Sequence, residues 1–352
     1  MGGGNARLTT MLHIDDFDYV LPDASIAQTP VEPRDASRLL DGVTGSTALH
    51  RHMRDLPDLV GPGDVIVVND TRVIPARLAL RKTTGGAVEV MLLDPIDDIS
   101  WRALVRPSRR VPPGTVVLDS AGVEAICVDD DLGDGVRSVR SATDEAVIAV
   151  AHRLGQVPLP PYITSGYDDD DRYQTVYARN ERSVAAPTAG LHFTPELMQR
   201  CEEAGAEMRR VELAVGLGTF RPIMVDNLAD HEMHAEQFHV PAEVLDACAA
   251  AKRVIAIGTT SVRALESAAT LGATEGSTEL FISPGYEFKV VDVLLTNFHQ
   301  PKSSLLVMLS AFAGERWRDL YAEALAENYR FLSFGDAMIV SRDNRSRDGG
   351  EG

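Results

Sequence analysis

The side chains best suited to chemistry in this sequence lie in short loops that carry little charge. Residues 184–194 combine Thr188, Gly190 and His192 in one such run. Pro187 and Gly190 interrupt it, so it has neither the spacing of a buried helix nor the alternation of a strand. A buried structural loop explains this composition equally well. Because loops carry a large share of catalytic groups, the run is a candidate site for proton transfer and for binding a polar substrate.

Three further polar stretches each follow an apolar run that predicts a buried strand. They are residues 69–72, 258–261 and 296–299. Because ligands gather at the carboxyl ends of strands in α/β sheets, we expect these stretches to meet at one edge. Residues 258–261 also begin a predicted helix, whose free N–H groups suit a carboxylate or a phosphate. Ordinary helix capping by Thr or Ser fits the same pattern.

Histidine is the residue type that could transfer protons near neutral pH. His192, His231, His234 and His299 all lie in polar, loop-like stretches. Any single one more often has a structural role, but four together favour a function for at least one. No third ligand follows His231 and His234 at a recognisable spacing, so we predict no metal site.

The charge of the chain is uneven. The formal net charge is −18, which by itself argues against a nucleic-acid partner. Basic residues nevertheless cluster within 72–82, where no acid intervenes, and again within 102–110. Phosphate binding depends on such local clusters, because salt screens fields beyond about 10 Å. An RNA partner therefore stays open.

Several classes of protein are disfavoured by features that the sequence lacks. No apolar run is long enough to span a bilayer, and the first residues carry no hydrophobic signal region. Cys127, Cys201 and Cys248 are not paired by spacing, which predicts a reducing, cytoplasmic location. The Walker loop, the dinucleotide fingerprint and the Gly-x-Ser-x-Gly elbow are missing, which disfavours an NTPase, a Rossmann dehydrogenase and an α/β-hydrolase.

The elements that must position these loops predict an α/β fold. Alternating helix and strand patterns cover residues 11–68 and 155–341, which predicts a largely parallel sheet flanked by helices. Evenly spaced short strands fill residues 69–154, which predicts a small antiparallel β-barrel inserted into that domain. Residues 1–10 and 342–352 read as loose termini.

Several long sequence motifs resemble those of one known family. They occur in one order as NDTRVIPARL (69–78), PLPPYI (158–163), AAPTAGLHF (185–193), GTTSVR (258–263) and TNFH (296–299). The chain thus resembles the S-adenosylmethionine:tRNA ribosyltransferase-isomerases of queuosine biosynthesis, collinearly from about residue 14 to 341. The resemblance implies an α/β domain with an inserted barrel. It also implies transfer and isomerisation of the ribosyl part of S-adenosylmethionine onto 7-aminomethyl-7-deazaguanine at the tRNA wobble position. Epoxyqueuosine forms, and adenine and methionine are released.

The implied reaction defines expectations for the site. S-adenosylmethionine is a substrate and the partner is tRNA, with no metal, no tightly bound cofactor and no membrane; we expect a cytoplasmic monomer. The sulfonium acidifies the adjacent 5′ hydrogens and the RNA base supplies the nucleophile, so the protein needs proton transfer and positioning. The candidates for proton transfer are His192, His234 and His299. The predicted substrate-binding residues are Asp70, Arg72, Arg77, Thr188, Gly190, Thr219, Gly258, Thr259, Thr260, Ser261, Arg263 and Asn297. The loop 258–261 with Arg263 is expected to hold the methionine carboxylate.

The chain departs from the family pattern at four positions. Ala214 stands where the family usually has His, Arg182 replaces Gly, Gln300 replaces Leu and Phe334 replaces Tyr. Ala214 matters most, because it removes an imidazole beside the predicted site. Two alternatives therefore stay open. One is a tRNA-binding homologue without turnover, and the other is a transferase that uses S-adenosylmethionine on a different acceptor.

Overall fold

The computed structural model describes residues 12–45, 47–97, 99–167, 169–216 and 223–343. Among these residues, four strands precede the barrel in the chain. They are β1 (Arg38–Gly42), β2 (Leu49–His52), β3 (Asp64–Asn69) and β4 (Thr71–Val73). Every residue of β3 is buried, as its unbroken apolar run predicts for a strand that is covered on both faces.

Six antiparallel strands then close into a barrel in the order β5-β6-β7-β10-β9-β8, with β8 pairing back to β5. They are β5 (Arg77–Lys82), β6 (Ala87–Pro95), β7 (Ser100–Arg106), β8 (Val116–Leu118), β9 (Glu124–Gly133) and β10 (Val136–Ser141). Side chains alternate along these strands, so that Leu78, Val90 and Val105 fill the barrel core. The barrel predicted within residues 69–154 is therefore present.

The chain leaves the barrel through α1 (Val147–Leu154) and β11 (Gly155–Gln156), and β12 (Asn180–Ser183) pairs in parallel with β4. Gln174 fixes this junction, because its side-chain amide donates to the Val73 carbonyl (2.9 Å) and accepts from the Val73 N–H (3.0 Å). A side chain thus replaces a backbone partner at the point where the chain enters the barrel.

The remaining elements alternate between helix and strand. They are α2 (Pro195–Glu203), β13 (Glu207–Leu213), β14 (Glu236–His239), α3 (Ala242–Ala250), β15 (Arg253–Ile257), α4 (Gly258–Leu271), β16 (Glu275–Thr278), β17 (Val293–Asn297), α5 (Ser304–Ala313), α6 (Arg316–Ala326) and β18 (Ala337–Ser341).

These strands form a nine-stranded sheet in the order β16-β14-β13-β3-β15-β17-β18-β1-β2. The centre, β13-β3-β15-β17, is parallel, as is the β18–β1 pair, whereas the other pairs are antiparallel. The predicted α/β class with its inserted barrel is confirmed, and the sheet is mixed because β18 runs antiparallel to β17 and the pairs at the two edges of the sheet are antiparallel. No helix in the described ranges is long and apolar enough to cross a membrane.

Candidate active site

A cleft with about 630 Å³ of unfilled space lies at the carboxyl ends of β15 and β17. The two strands are parallel neighbours, so the loops that follow them meet at the same edge of the sheet, as the sequence predicts. The residues lining the cleft include Tyr162, Ala186, Pro187, Thr188, Ala189, Val215, Gly258, Thr259, Thr260, Thr296, Asn297, His299, Gln300, Ser303, Leu305 and Ser333.

One wall comes from the uncharged run, which contains a short 3₁₀ helix, Thr188–His192. Thr188 faces the cleft and donates from its hydroxyl to Asn297 Oδ1 at 3.3 Å. The Asn297 amide nitrogen donates in the opposite direction, to the carbonyls of Leu332 (3.2 Å) and Asp336 (3.4 Å). Because carbonyls only accept, these contacts fix the orientation of the Asn297 amide.

His192 lies behind Asn297 and outside the cleft lining. Asn297 Nδ2 donates to His192 Nε2 at 3.0 Å, so the proton of the neutral ring is on Nδ1, which donates to Ser37 Oγ at 2.8 Å. Burial, together with the positive charges of Arg172, Arg34 and Arg330, lowers the pKa of His192 to about 3. Both ring nitrogens are therefore occupied by protein partners, and the imidazole is neutral at physiological pH.

His299 is the histidine that borders the cleft directly. Its Nε2 lies 3.0 Å from the hydroxyl of Thr296, and its backbone N–H donates to the hydroxyl of Tyr321 at 2.8 Å. The hydroxyl of Tyr19 donates to its carbonyl at 2.5 Å. Burial lowers its pKa to about 3. A neutral imidazole at this position can accept a hydrogen bond from a bound substrate.

The first turn of α4 forms another side of the cleft. Gly258 has φ +82°, where a non-glycine residue would be strained, and a Cβ there would lie 3.3 Å from Ala189 Cβ. This backbone conformation turns the chain from β15 into the helix. Thr259 and Thr260 then face the cleft, whereas the Ser261 hydroxyl donates to the Ile257 carbonyl at 2.8 Å.

A second cavity adjoins the cleft and shares Thr259, Thr260 and Leu305 with it. Its polar end is Arg263, which is 5% exposed and pairs through Nη1 with buried Glu236. Arg263 Nε and Nη2 and Thr260 Oγ1 have no hydrogen-bond partner in the described part of the chain. The apolar walls include Met233, Leu280, Phe281, Ile282 and Met308. Buried donors without partners beside apolar walls suit an anionic group on an apolar stem.

The structure thus brings together a subset of the predicted site residues. Those that line the cleft are Thr188, Gly258, Thr259, Thr260, Asn297 and His299, and Arg263 lines the adjoining cavity. Ser261 and His192 lie behind this surface. Thr219 lies outside the described residues.

The remaining candidates lie away from the cleft lining. Asp70 is buried, and burial together with nearby Glu212 raises its pKa. Arg72 lies 3.8 Å from a carboxylate oxygen of Glu181, and Arg77 pairs with Glu89 at 2.7 Å; both are near the entry to the barrel. Gly190 is buried against Tyr177, and His234 is exposed in the loop before β14. In the described ranges no three metal-binding side chains come together.

The sequence patterns did not single out some of the residues at the site. Tyr162 and Ser333 both line the cleft, with their hydroxyl oxygens 2.7 Å apart, and Glu236 is the partner of Arg263. Tyr162 lies in the proline-rich connector, within the motif PLPPYI (158–163), but no pattern assigned it to the site. Ala214 is not among the lining residues, whereas its neighbour Val215 is.

Comparison with known proteins assigns the family. A family model described as "Queuosine biosynthesis protein" matches residues 14–340. The chain belongs to this family. The S-adenosylmethionine:tRNA ribosyltransferase-isomerase of Moorella thermoacetica is 50% identical over 341 residues, covering 94% of this chain and 100% of the relative. The protein of the same name from Thermus thermophilus is 49% identical over 348 residues, covering 93% and 99%.

A solved relative covers the same length. The crystal structure of an S-adenosylmethionine tRNA ribosyltransferase from Thermotoga maritima is 34% identical, with a TM-score of 0.52, and covers 92% of this chain and 99% of its own. The family resemblance predicted from the sequence motifs is confirmed. The match to the family covers residues 14–340, which is nearly the whole chain.

Proposed function

We propose that this protein is an S-adenosylmethionine:tRNA ribosyltransferase-isomerase. It transfers and isomerises the ribosyl part of S-adenosylmethionine onto 7-aminomethyl-7-deazaguanine at the tRNA wobble position, forming epoxyqueuosine and releasing adenine and methionine. The observation that carries the proposal is about 50% sequence identity to relatives of that name over almost their full length. The two adjoining cavities at the carboxyl edge of the sheet support it.

S-adenosylmethionine occupies both cavities in this proposal. Its methionine carboxylate accepts from Nε and Nη2 of Arg263, which have no partner among the described residues, because a guanidinium edge matches a carboxylate in two parallel hydrogen bonds. The apolar walls contact the methionine side chain, and the adenosyl part extends past Thr259 and Thr260 into the cleft. The loop 258–261 with Arg263 then has the role that the sequence predicts.

Proton transfer falls to His299 in this arrangement, because its ring borders the cleft whereas the ring of His192 is held on both sides. A neutral His299 can accept a proton from the carbon beside the sulfonium. His192 positions Asn297, and Thr188 and Asn297 present polar groups to the substrate. S-adenosylmethionine is consumed as a substrate, and the chemistry described uses no metal and no tightly bound cofactor.

The acceptor tRNA contacts the junction between the barrel and the α/β domain. We place the inserted domain at residues 69–154 and the α/β domain at 11–68 and 155–341. Arg72 and Arg77 lie at this junction and are partly exposed. The protein acts in this proposal as a cytoplasmic monomer.

A turnover assay tests the proposal. Wild-type protein is mixed with S-adenosylmethionine and tRNA that carries 7-aminomethyl-7-deazaguanine, and adenine release is followed together with the mass of the modified nucleoside. We expect adenine to appear in step with epoxyqueuosine. The matched control is the same tRNA with guanine at the wobble position, which lacks the aminomethyl nucleophile and should release no adenine. Adenine release that is equal with both RNAs would contradict the proposed acceptor.

Ala214 favours a second candidate, a tRNA-binding homologue without turnover, since the family usually has His there. Tight tRNA binding without adenine release would select this candidate. Ala214→His would then be the informative variant, because restored adenine release would assign the loss to the missing imidazole. Val215, and not Ala214, lines the cleft, which favours the active enzyme.

A further inference from the structure

A groove distinct from the cleft lies between the outer face of the barrel and the connector that leaves it. It contains about 1880 Å³ of unfilled space, including open solvent at its mouth. Strands β5, β6 and β7 form one side, and residues 156–164 form the other. The site proposed for S-adenosylmethionine does not use this space.

The barrel side presents an apolar surface edged by arginines. Strand register places Met91 opposite Leu104 and also opposite Arg77, while Glu89 is opposite Arg106. The side chains between them point into the barrel core, so these five face outward into the groove. Met91 and Leu104 thus lie side by side and half-buried on the outer face of the barrel, where they offer apolar surface to a molecule in the groove.

The connector separates the groove from the cleft by the thickness of one chain. Pro161 and Ile163 line the groove, whereas Tyr162 between them lines the cleft and bonds to Ser333 at 2.7 Å. A polymer lying in the groove could therefore place one of its units past Tyr162 into the cleft. The groove also contains Tyr167, whose ring centroid lies 5.0 Å from that of Phe334.

The charge at the edge of the groove favours a polyanion. Arg106 is 72% exposed, and its closest ion-pair contact is 4.0 Å from Glu89, which already pairs with Arg77 at 2.7 Å. Among the described residues no carboxylate lies closer to the Arg106 guanidinium, which can therefore bind a phosphate, although Asp170 also lines the groove. Apolar and aromatic surfaces for bases next to a cation for the backbone are the features with which proteins bind single-stranded nucleic acid.

We propose that this groove binds the single-stranded nucleotides of the tRNA anticodon loop that flank the base held in the cleft. Their bases pack against Met91, Leu104 and the connector, and Arg106 contacts a phosphate. This inference rests on the proposed function. A second copy of the chain or another protein would be a different occupant of the same surface, and the experiment separates these outcomes.

The test measures binding of an anticodon stem–loop RNA as a function of salt, without S-adenosylmethionine. We expect Arg106→Ala to weaken binding on the order of tenfold, and the slope of log K against log salt to fall by about 0.7, as loss of one single-strand phosphate contact requires. Arg140→Ala is the matched control. Arg140 is an exposed barrel arginine on β10 that pairs with Asp129 at 3.2 Å, outside the groove, and its loss should leave both quantities unchanged.

A second variant separates stacking from charge. Met91→Ser with Leu104→Ser should weaken RNA binding while keeping the wild-type salt slope. Wild-type affinity and slope in Arg106→Ala would overturn the groove proposal, as would absence of stem–loop binding by the wild type. A wild-type dimer that this double variant dissociates in sedimentation would assign the groove to a second copy instead. If the wild type releases adenine while Arg106→Ala keeps its KM for tRNA, the groove proposal fails and the proposed function stands.

Discussion

The side-chain amide of Asn297 determines which nitrogen of His192 carries the proton. Asn297 Nδ2 is directed at two backbone carbonyls, so it must donate to His192 Nε2, and the ring proton is left on Nδ1 facing Ser37. Asn297 ends β17 and His192 ends the 3₁₀ helix. Together with the hydrogen bond from the Thr188 hydroxyl to Asn297 Oδ1, their contact joins the uncharged run to the edge of the sheet.

Asn297→Asp tests this relationship with almost no change of shape. The carboxylate cannot donate to His192 Nε2 and faces the Leu332 and Asp336 carbonyls, so we expect kcat/KM to fall by about 10- to 100-fold, equivalent to roughly 1.4–2.8 kcal/mol. Adenine release at limiting substrate measures it. The control is Asn227→Asp, where the side chain caps a turn by accepting from Ala229 N–H, which Asp does equally well. Equal kcat/KM in both variants would contradict the assignment.

The two buried imidazoles predict a stability that depends on pH. His192 and His299 have pKa values lowered to about 3 in the folded protein, against about 6.5 for an unperturbed imidazole. Below pH 6.5 the unfolded chain binds a proton at each ring and the native protein does not. The free energy of unfolding therefore falls as pH falls from 6.5 towards 3, by about 1.4 kcal/mol per pH unit for each histidine.

Urea unfolding at pH 7.5, 6.5 and 5.5 measures this dependence, because these pH values lie above the range in which most carboxylates titrate. His299→Gln removes one of the two titrating rings, so its free energy of unfolding should fall less steeply between pH 6.5 and 5.5 than that of the wild type. His13→Gln is the control, since His13 is exposed. Identical slopes for the wild type and His299→Gln would show that His299 is protonated normally in the native protein.

Local patterns predicted the elements and part of the site, whereas partners from distant segments could not be predicted. Residues 258–261 and 296–299 meet because parallel neighbours bring their carboxyl ends together, which strand periodicity and sheet rules suffice to predict. The pairing of Tyr162 with Ser333 spans 171 positions, and that of Arg263 with Glu236 depends on where β14 joins the sheet. The overall arrangement of the elements brings these partners together, and a local pattern does not encode it.

Arg263→Lys tests the proposed carboxylate site. Lysine keeps the charge opposite Glu236 but lacks the planar pair of donors, Nε and Nη2, for which the described part of the chain supplies no partner. We expect the KM for S-adenosylmethionine to rise about tenfold or more, with stem–loop RNA affinity unchanged. Initial rates at saturating tRNA give the KM, and thermal unfolding shows whether the fold is kept. An unchanged KM in a folded variant would assign Arg263 to a purely structural ion pair.

Gly190→Ala distinguishes a packing role for Gly190 from the substrate-binding role predicted from the sequence. An added Cβ would lie 1.9 Å from the Tyr177 hydroxyl and 2.8 Å from Thr175 Cγ2, so the neighbours must move. We expect a loss of about 1–3 kcal/mol of unfolding free energy, with the KM for S-adenosylmethionine unchanged in the folded fraction. Urea unfolding and initial rates measure the two quantities.

Tyr177→Phe, alone and combined with Gly190→Ala, tests whether the Tyr177 hydroxyl causes the clash. The Tyr177 hydroxyl is buried with no hydrogen-bond partner in the described residues, so its removal alone should cost little. In the double variant the closest clash disappears while Tyr177 Cζ, at 2.8 Å, stays close, so we expect partial recovery of stability and a favourable coupling free energy. The opposite result would be a Gly190→Ala variant with wild-type stability and a raised KM for S-adenosylmethionine. It would show that Gly190 contacts the substrate, because a change that only strained the packing would also lower the stability.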